Sequence, residues 1–250
     1  MKKILLNILY AIRCFLDRIF HFREVAILCY HSISEDAHET AVPPIDFAVH
    51  LAQLKKKGTS FVSLEDIIDW YENKRIGFPK KVIAVTFDDG YVDFETTALP
   101  ILEKYAVPAT LFVIGDSVES RGALKNNIPL LTQEAVKRLG AHPLITIGYH
   151  SKTHANLSKL AKADIVQEVQ PPFPADVFAY PGGNYSEEAI QAVREAGYRA
   201  AFSIKRNLVR RGKSRWLLPR LVILKNDTPA DIARYASVAQ YWYTGIRRFF

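Results

Sequence analysis

Cysteine is nearly missing from this chain: Cys14 and Cys29 are the only two among 250 residues. That scarcity excludes a disulfide scaffold and a zinc finger built on cysteine ligands. No linker rich in glycine, proline or serine divides the chain. No Gly-rich loop follows a strand-like segment, which excludes the usual dinucleotide and phosphate cradles. No apolar run reaches the ~20 residues that a membrane span needs. Helix-turn-helix, RNP and zinc-finger signatures are also missing, so nucleic acid is not an expected partner. What remains is ordinary globular composition, 49% hydrophobic, 12% aromatic and 24% charged. A chain of this length fits one large α/β domain or two small ones, and either can bury a sizeable core.

The net charge of +7 is distributed unevenly. Residues 1–24 sum to +3, and residues 205–225 hold eight basic and no acidic side chains. Such a basic run is either a solvated face or a patch for anionic lipid or a phosphorylated substrate. In the first 22 residues Leu5, Leu9, Ile12, Leu16 and Ile19 recur at helical spacing, with Lys3, Asn7, Arg18 and His21 on the other side. Arg13 follows the apolar stretch Ile4–Ile12 without a small-residue cleavage site. The expectation is an amphipathic helix over residues 1–24 lying in a membrane interface, against a helix docked on the domain. Tyr235, Val238, Tyr241, Trp242, Ile246 and Phe249 form a second apolar stripe beside Arg247 and Arg248. That stripe suits a membrane interface or a last helix sealing a barrel.

Between residues 25 and 240 strand-like and helix-like segments alternate. Val25–Tyr30 is a continuous apolar run, as in a strand buried on both faces. Val82–Phe87, Ala109–Ile114, Leu144–Gly148, Val177–Tyr180, Arg199–Ser203 and Leu221–Leu224 are further strand candidates, and Phe61-Val62 is a short one. Asp46, Ser63, Thr132, Ser186 and Thr228 stand where helix caps are expected, and Phe94–Tyr105 and Leu157–Val169 read as helices. The pattern predicts a distorted (β/α) barrel with seven or eight parallel strands, with a doubly wound open sheet as the alternative. Residues 115–131 form the longest irregular stretch, long enough to cover a site.

In a parallel βα fold functional residues gather where strands end. Asp88 and Asp89 follow one strand; adjacent carboxylates repel, and a divalent cation on one would leave the other ionised as a base. His150 and His154 follow another strand at a spacing that puts both rings on one face if a helix begins there. Two histidines and one aspartate make a three-ligand set with an open position for water. Tyr180-Pro181-Gly182-Gly183 ends a third strand, and such a turn leaves backbone N–H groups free to stabilise an oxyanion. His31 ends the first strand, as a structural hydrogen-bonder or a general acid. Arg220 precedes the last strand, either orienting a carboxylate bidentately or belonging to the basic run.

Together these residues resemble the polysaccharide deacetylases, the NodB-homology group of carbohydrate esterases, over roughly residues 25–225. Thr86–Gly90 resembles the family's first motif, His150–His154 its second and Phe178–Gly183 its third. The resemblance implies a distorted (β/α) barrel and metal-dependent removal of acetyl groups from sugars, usually with zinc. It makes Asp88 the base and Asp89, His150 and His154 the metal ligands. Two departures stand out. Ala179 occupies the place where most members carry an arginine, and no histidine follows His154. The early Tyr30-His31 matches a subgroup resembling poly-N-acetylglucosamine deacetylases, which makes His31 the acid, and Arg220 is the candidate for the missing arginine.

The expected reaction is hydrolysis of an N-acetylhexosamine acetamide, with Gly182 helping to hold the oxyanion. The favoured substrate is a polyprenyl-phosphate-linked sugar at the cytoplasmic face of a bacterial inner membrane, with an anionic membrane surface as partner. The alternatives are a poly-N-acetylglucosamine exopolysaccharide, with the enzyme secreted or periplasmic, and a non-catalytic sugar-binding barrel.

Overall fold

The computed structural model describes residues 23–75, 77–119, 124–125 and 128–237. The stripe of residues 1–22 and most of the C-terminal stripe lie outside them. The described residues form ten strands: β1 (Glu24–Tyr30), β2 (Ser60–Phe61), β3 (Lys81–Phe87), β4 (Ala109–Val113), β5 (Leu124–Lys125), β6 (Ile128–Pro129), β7 (Ile145–Tyr149), β8 (Val177–Ala179), β9 (Ala200–Phe202) and β10 (Leu221–Val222). Eight helices accompany them: α1 (Pro44–Lys56), α2 (Leu64–Tyr71), α3 (Leu99–Lys104), α4 (Gly115–Glu119), α5 (Gln133–Gly140), α6 (Lys162–Glu168), α7 (Glu187–Glu195) and α8 (Pro229–Tyr235).

The main sheet is parallel, in the order β10-β1-β3-β4-β7-β8-β9, with β2 also paired to β3. Its two edges meet. Phe202 bridges Leu218, the Ser203 N–H donates to the Leu218 carbonyl at 2.9 Å, and four residues later Val222 pairs with Cys29 of β1. One segment therefore touches both β9 and β1, which curls the sheet into a distorted barrel rather than an open doubly wound sheet. β5 and β6 form a separate antiparallel pair over residues read from sequence as irregular.

Strand parity explains what faces inward. Val25 and Ile27, Val82 and Ala84, Phe112, Ala179, Phe202 and Leu218 share one buried cluster. Their neighbours Ala26, Leu28, Ile83, Val85 and Leu111 pack with the helices in another. Continuing the two-residue period past the strand ends carries the inward set to Cys29 and His31, to Asp88, to His150 and to Arg220. The barrel's own alternation thus collects the candidate site residues at its C-terminal mouth. Gly148 is on the inward set too. A Cβ there would stand 2.5 Å from Cδ1 of Phe112, so only glycine fits.

The other mouth is closed by α2. Ile67 and Ile68 join the inner cluster, while Glu65, Asp69 and Glu72 pair with Arg199, directly before β9. Ser63 and Thr228 each form a capping box, and Thr132 and Ser186 accept from the N–H three residues on. Asp46 does not cap α1. Pro43 holds the cap and Pro44 the first turn, so Asp46 sits inside, where its charge complements the helix dipole. The helix expected over Leu157–Val169 is broken between Lys159 and Lys162, and the one over Phe94–Tyr105 begins as a π-turn from Phe94 to Ala98.

Candidate active site

Asp88 stands just beyond β3, its N–H donating to the Tyr30 carbonyl at 3.0 Å. Its side chain is buried and clamped. Arg220 donates from Nη1 to Oδ1 at 2.6 Å and from Nη2 to Oδ2 at 2.7 Å. Arg220 is itself fully buried, steadied by the Thr86 hydroxyl and the face of Phe112. The Cys29 thiol donates to Asp88 Oδ2 at 3.4 Å. Burial alone would raise the Asp88 pKa, but Arg220 and then His150 outweigh it and hold the carboxyl below the usual range. Arg220 stands directly before β10, in the segment that closes the barrel.

Asp89 turns the other way because its backbone is left-handed, φ 76°. Its Oδ1 lies 3.6 Å from His150 Nε2 and 3.3 Å from His154 Nε2. No helix begins at His150, contrary to the spacing argument. Ser151 and His154 adopt left-handed φ of 64° and 62°, and the loop folds back until the two imidazole centres are 4.9 Å apart. Among the described residues, three of the five non-glycine residues with positive φ are here, at a cost of order 1–3 kcal/mol each. Glu168 of α6 braces that loop by accepting from the Thr153 N–H at 3.0 Å and the Thr153 hydroxyl at 2.7 Å.

The donor set fits a divalent metal. One ligand atom from each of Asp89, His150 and His154 lies within 4.8 Å of the others. The His150 Nδ1–H donates to the Ala179 carbonyl at 2.8 Å, which leaves the Nε2 lone pair facing Asp89. Lys125 Nζ donates to Asp89 Oδ1 at 2.5 Å and to His154 Nε2 at 2.8 Å. Cys29, His31 and Asp88 make a second close group. It does not suit a metal, because Arg220 occupies both Asp88 oxygens and burial pushes the Cys29 thiol up, keeping it protonated.

His31 borders Asp88 from β1, and its Nδ1 is buried without a hydrogen-bond partner. At the third motif the outcome differs from expectation. The Tyr180 ring packs among Phe178, Tyr185 and α7, and its N–H donates to the Phe202 carbonyl at 3.0 Å. Pro181 has no N–H, and that of Gly183 donates to the Tyr180 carbonyl at 2.8 Å. Gly182, left-handed at φ 57°, keeps the turn's candidate oxyanion donor.

With three motif ends and their metal-type triad in one mouth, comparison with known proteins is decisive. The sequence profile described as polysaccharide deacetylase matches residues 75–201. This chain belongs to the polysaccharide deacetylase family. It is accordingly a metal-dependent carbohydrate deacetylase, a hydrolase of C–N bonds. The poly-beta-1,6-N-acetyl-D-glucosamine N-deacetylase of Staphylococcus aureus strain MRSA252 is 24% identical over 211 residues, 78% of this chain and 71% of that one. The deacetylase PplD of Streptococcus pyogenes, solved in complex with acetate, superposes with TM-score 0.74 at 25% identity, covering 85% of this chain and 98% of its own. IcaB of Ammonifex degensii shares the fold, with TM-score 0.74 at 23% identity over 85% and 96% of the two chains.

Sequence reasoning missed Lys125 and Glu168 as members of this polysaccharide deacetylase's site. The only signal for Lys125 was its place in the stretch flagged as long enough to cover a site. Glu168 gave none, being one acidic residue in a helical segment.

Buried His50 and His150, with half-buried His31, set the deacetylase's stability against pH. Burial pushes His31 and His50 down and takes His150 to about 4. His50 accepts from the Tyr30 hydroxyl and donates to the Asp227 carbonyl, so its neutral ring is built into the fold. An unfolded histidine takes up its proton near pH ~6.5. The unfolded state therefore binds more protons below that value, and stability falls as pH falls. Asp88 and Asp89 are held low, so their loss begins only below about pH 4. Melting of the chelated protein is expected to drop by several degrees from pH 7.5 to 5. A melting temperature that rises over this interval would contradict the assignment.

Proposed function

We propose that this chain hydrolyses the acetamide of N-acetylhexosamine units within a glycan chain, with zinc held by Asp89, His150 and His154. The observation that carries the proposal is the adjacency of that ligand triad to a carboxylate, Asp88, which Arg220 keeps ionised and aimed. Zinc, when bound, polarises the acetyl carbonyl and makes water acidic near neutral pH. The remaining work falls to side chains. Asp88 accepts the proton of the attacking water, in a geometry that Arg220 and the Cys29 thiol fix from both oxygens. The Gly182 N–H supports the oxyanion. His31, beside Asp88, passes the proton taken from water on to the departing amine, so acetate and a free amino sugar leave. Replacing His31 by alanine is expected to lower turnover about 10²–10⁴-fold with metal content unchanged. Near-normal turnover in that variant would remove His31 from the mechanism.

The name of the Staphylococcus relative supports a poly-N-acetylglucosamine substrate. The second reading, a polyprenyl-phosphate-linked sugar, is favoured by the amphipathic stripe of residues 1–22 at the cytoplasmic face of an inner membrane. Two observations weigh against it. Glu24 and Lys81 at the strand starts share a cleft with Ala233 and Ala236, so both described chain ends leave from the pole opposite the site. Seven residues of β1 separate that pole from the site by about 20 Å. The described chain therefore begins, at Arg23, at the end of the barrel away from the catalytic mouth. Four of the eight basic residues in the run also have partners within the chain, although only Arg220 is buried. Arg220 holds Asp88, Arg215 pairs with Glu72, Arg211 donates to the Trp70 carbonyl, and Lys225 donates to the Asp36 carbonyl. Side-by-side assays of β-1,6-linked N-acetylglucosamine oligosaccharides and polyprenyl-phosphate N-acetylglucosamine, scored by mass spectrometry for acetyl loss and by acetate release, decide between them. Faster turnover of the glycolipid would overturn the glycan-chain reading. Formate release, or no release, would overturn the deacetylation itself. Protease protection in spheroplasts tests the membrane face.

A further inference from the structure

Lys125 is a charged side chain in an improbable place. It reaches from the hairpin of β5 and β6 into the ligand cluster, and only 24% of its side chain is exposed. Its ammonium donates to Asp89 Oδ1 and His154 Nε2, two of the three atoms whose lone pairs a metal would use. An N–H donor on a lone pair and a metal on the same lone pair exclude each other. Charge gives the same answer. Asp88 is matched by Arg220 and Asp89 by Lys125, so with neutral histidines the buried cluster is balanced. Adding a divalent cation while Lys125 stays would leave two unmatched positive charges among these side chains.

The hairpin is well placed to hold this contact. Its return leg is fastened beside the two aspartates: the Val92 N–H donates to the Pro129 carbonyl at 2.9 Å and the Leu131 N–H to the Gly90 carbonyl at 2.8 Å. Tyr91 bridges Leu130 in the same place. The four-carbon lysine stem can swing its head outward by rotamer change while that anchor stays put.

We propose that Lys125 is an internal surrogate for the metal: its ammonium holds the ligand triad together in the metal-free chain and must withdraw before a divalent ion binds. Lys125 therefore sets metal affinity and exchange, a role outside the chemical step. The proposal rests on the assignment of Asp89, His150 and His154 as ligands.

The test is zinc binding by the full-length apoprotein, measured by competition with a chromophoric chelator. Lys125→Met keeps the aliphatic stem and removes the charge. It is expected to bind zinc about 10- to 100-fold more tightly, the range expected on losing one competing charged hydrogen-bond donor. The same substitution is expected to lower the melting temperature of the apoprotein and leave that of the zinc form unchanged. Lys125→Arg, which restores a cationic donor, is expected to return affinity toward wild type. Unchanged or weaker zinc binding in Lys125→Met overturns the surrogate role. Failure of the wild type to bind zinc at all overturns the ligand assignment instead, so the two failures are distinguishable. If Lys125→Met does not fold, zinc release rates from Lys125→Arg and Lys125→Gln decide: release as in wild type for Lys125→Gln overturns the proposal.

Discussion

Replacing His150 by alanine is expected to abolish tight metal binding and reduce deacetylation to background. His150 is fully enclosed at the mouth of the barrel, and its Nδ1–H is spent on the Ala179 carbonyl, so only Nε2 serves the site. Removing the ring leaves Asp89 and His154, and two ligands do not make a three-ligand catalytic site. The loss of turnover should exceed the ~10²–10⁴-fold expected for deleting an acid or a base alone. Elemental analysis should show about one metal per wild-type chain and almost none in His150→Ala. Exhaustive chelation of wild type should mimic the variant, and re-addition of zinc should restore only the wild type. A chelated wild type that remains fully active would end the metal assignment for Asp89, His150 and His154 together.

The second large effect concerns Asp88 and Arg220, and it reads on stability as well as rate. Arg220→Met removes one partner of a fully buried, bidentate ion pair. A buried carboxylate left without its counter-charge typically costs about 3–5 kcal/mol. For a chain of this size that corresponds to a fall in melting temperature of about 10 °C or more. Turnover should fall too, because Asp88 loses the guanidinium that does most to hold its pKa down and that fixes its orientation. Asp88→Asn should cut turnover about 10²–10⁴-fold while keeping the metal. It should also destabilise, since Arg220 loses its partner. The double variant Asp88→Asn/Arg220→Met separates the two roles. Its melting temperature should recover above that of Arg220→Met alone, and its activity should not. Additive losses of stability in the double variant would show that the pair is not coupled as the geometry requires.

The parts legible in sequence share one property: they lie within a few residues of each other at a strand end. Asp88 and Asp89 are adjacent, and His150 and His154 share one loop, so local pattern and the strand-end rule were enough to propose them. The caps at Ser63, Thr132, Ser186 and Thr228 were legible for the same reason, since a cap acts over three residues. The geometry of the histidine pair was not. Helical spacing suggested a helix, but left-handed turns at Ser151 and His154 and the brace from Glu168 produce the convergence by another route.

The run of apolar β-branched segments in βα alternation determined a parallel sheet, because only strands buried on both faces need such sequences. Sequence also determined which residue types could carry the chemistry. What only the tertiary structure decided is which charge meets which. Arg220 is 132 positions from Asp88, and the two meet because the segment from Leu218 to Val222 closes the ring between β9 and β1. That closure took Arg220 out of a basic run that looked like a surface for lipid. Lys125 is 36 positions from Asp89 and enters the ligand cluster only because its hairpin is tied beside Gly90 and Val92. Long-range pairing depends on where the barrel closes and what the loops above it are fastened to, and neither is encoded in the spacing of residues along the chain.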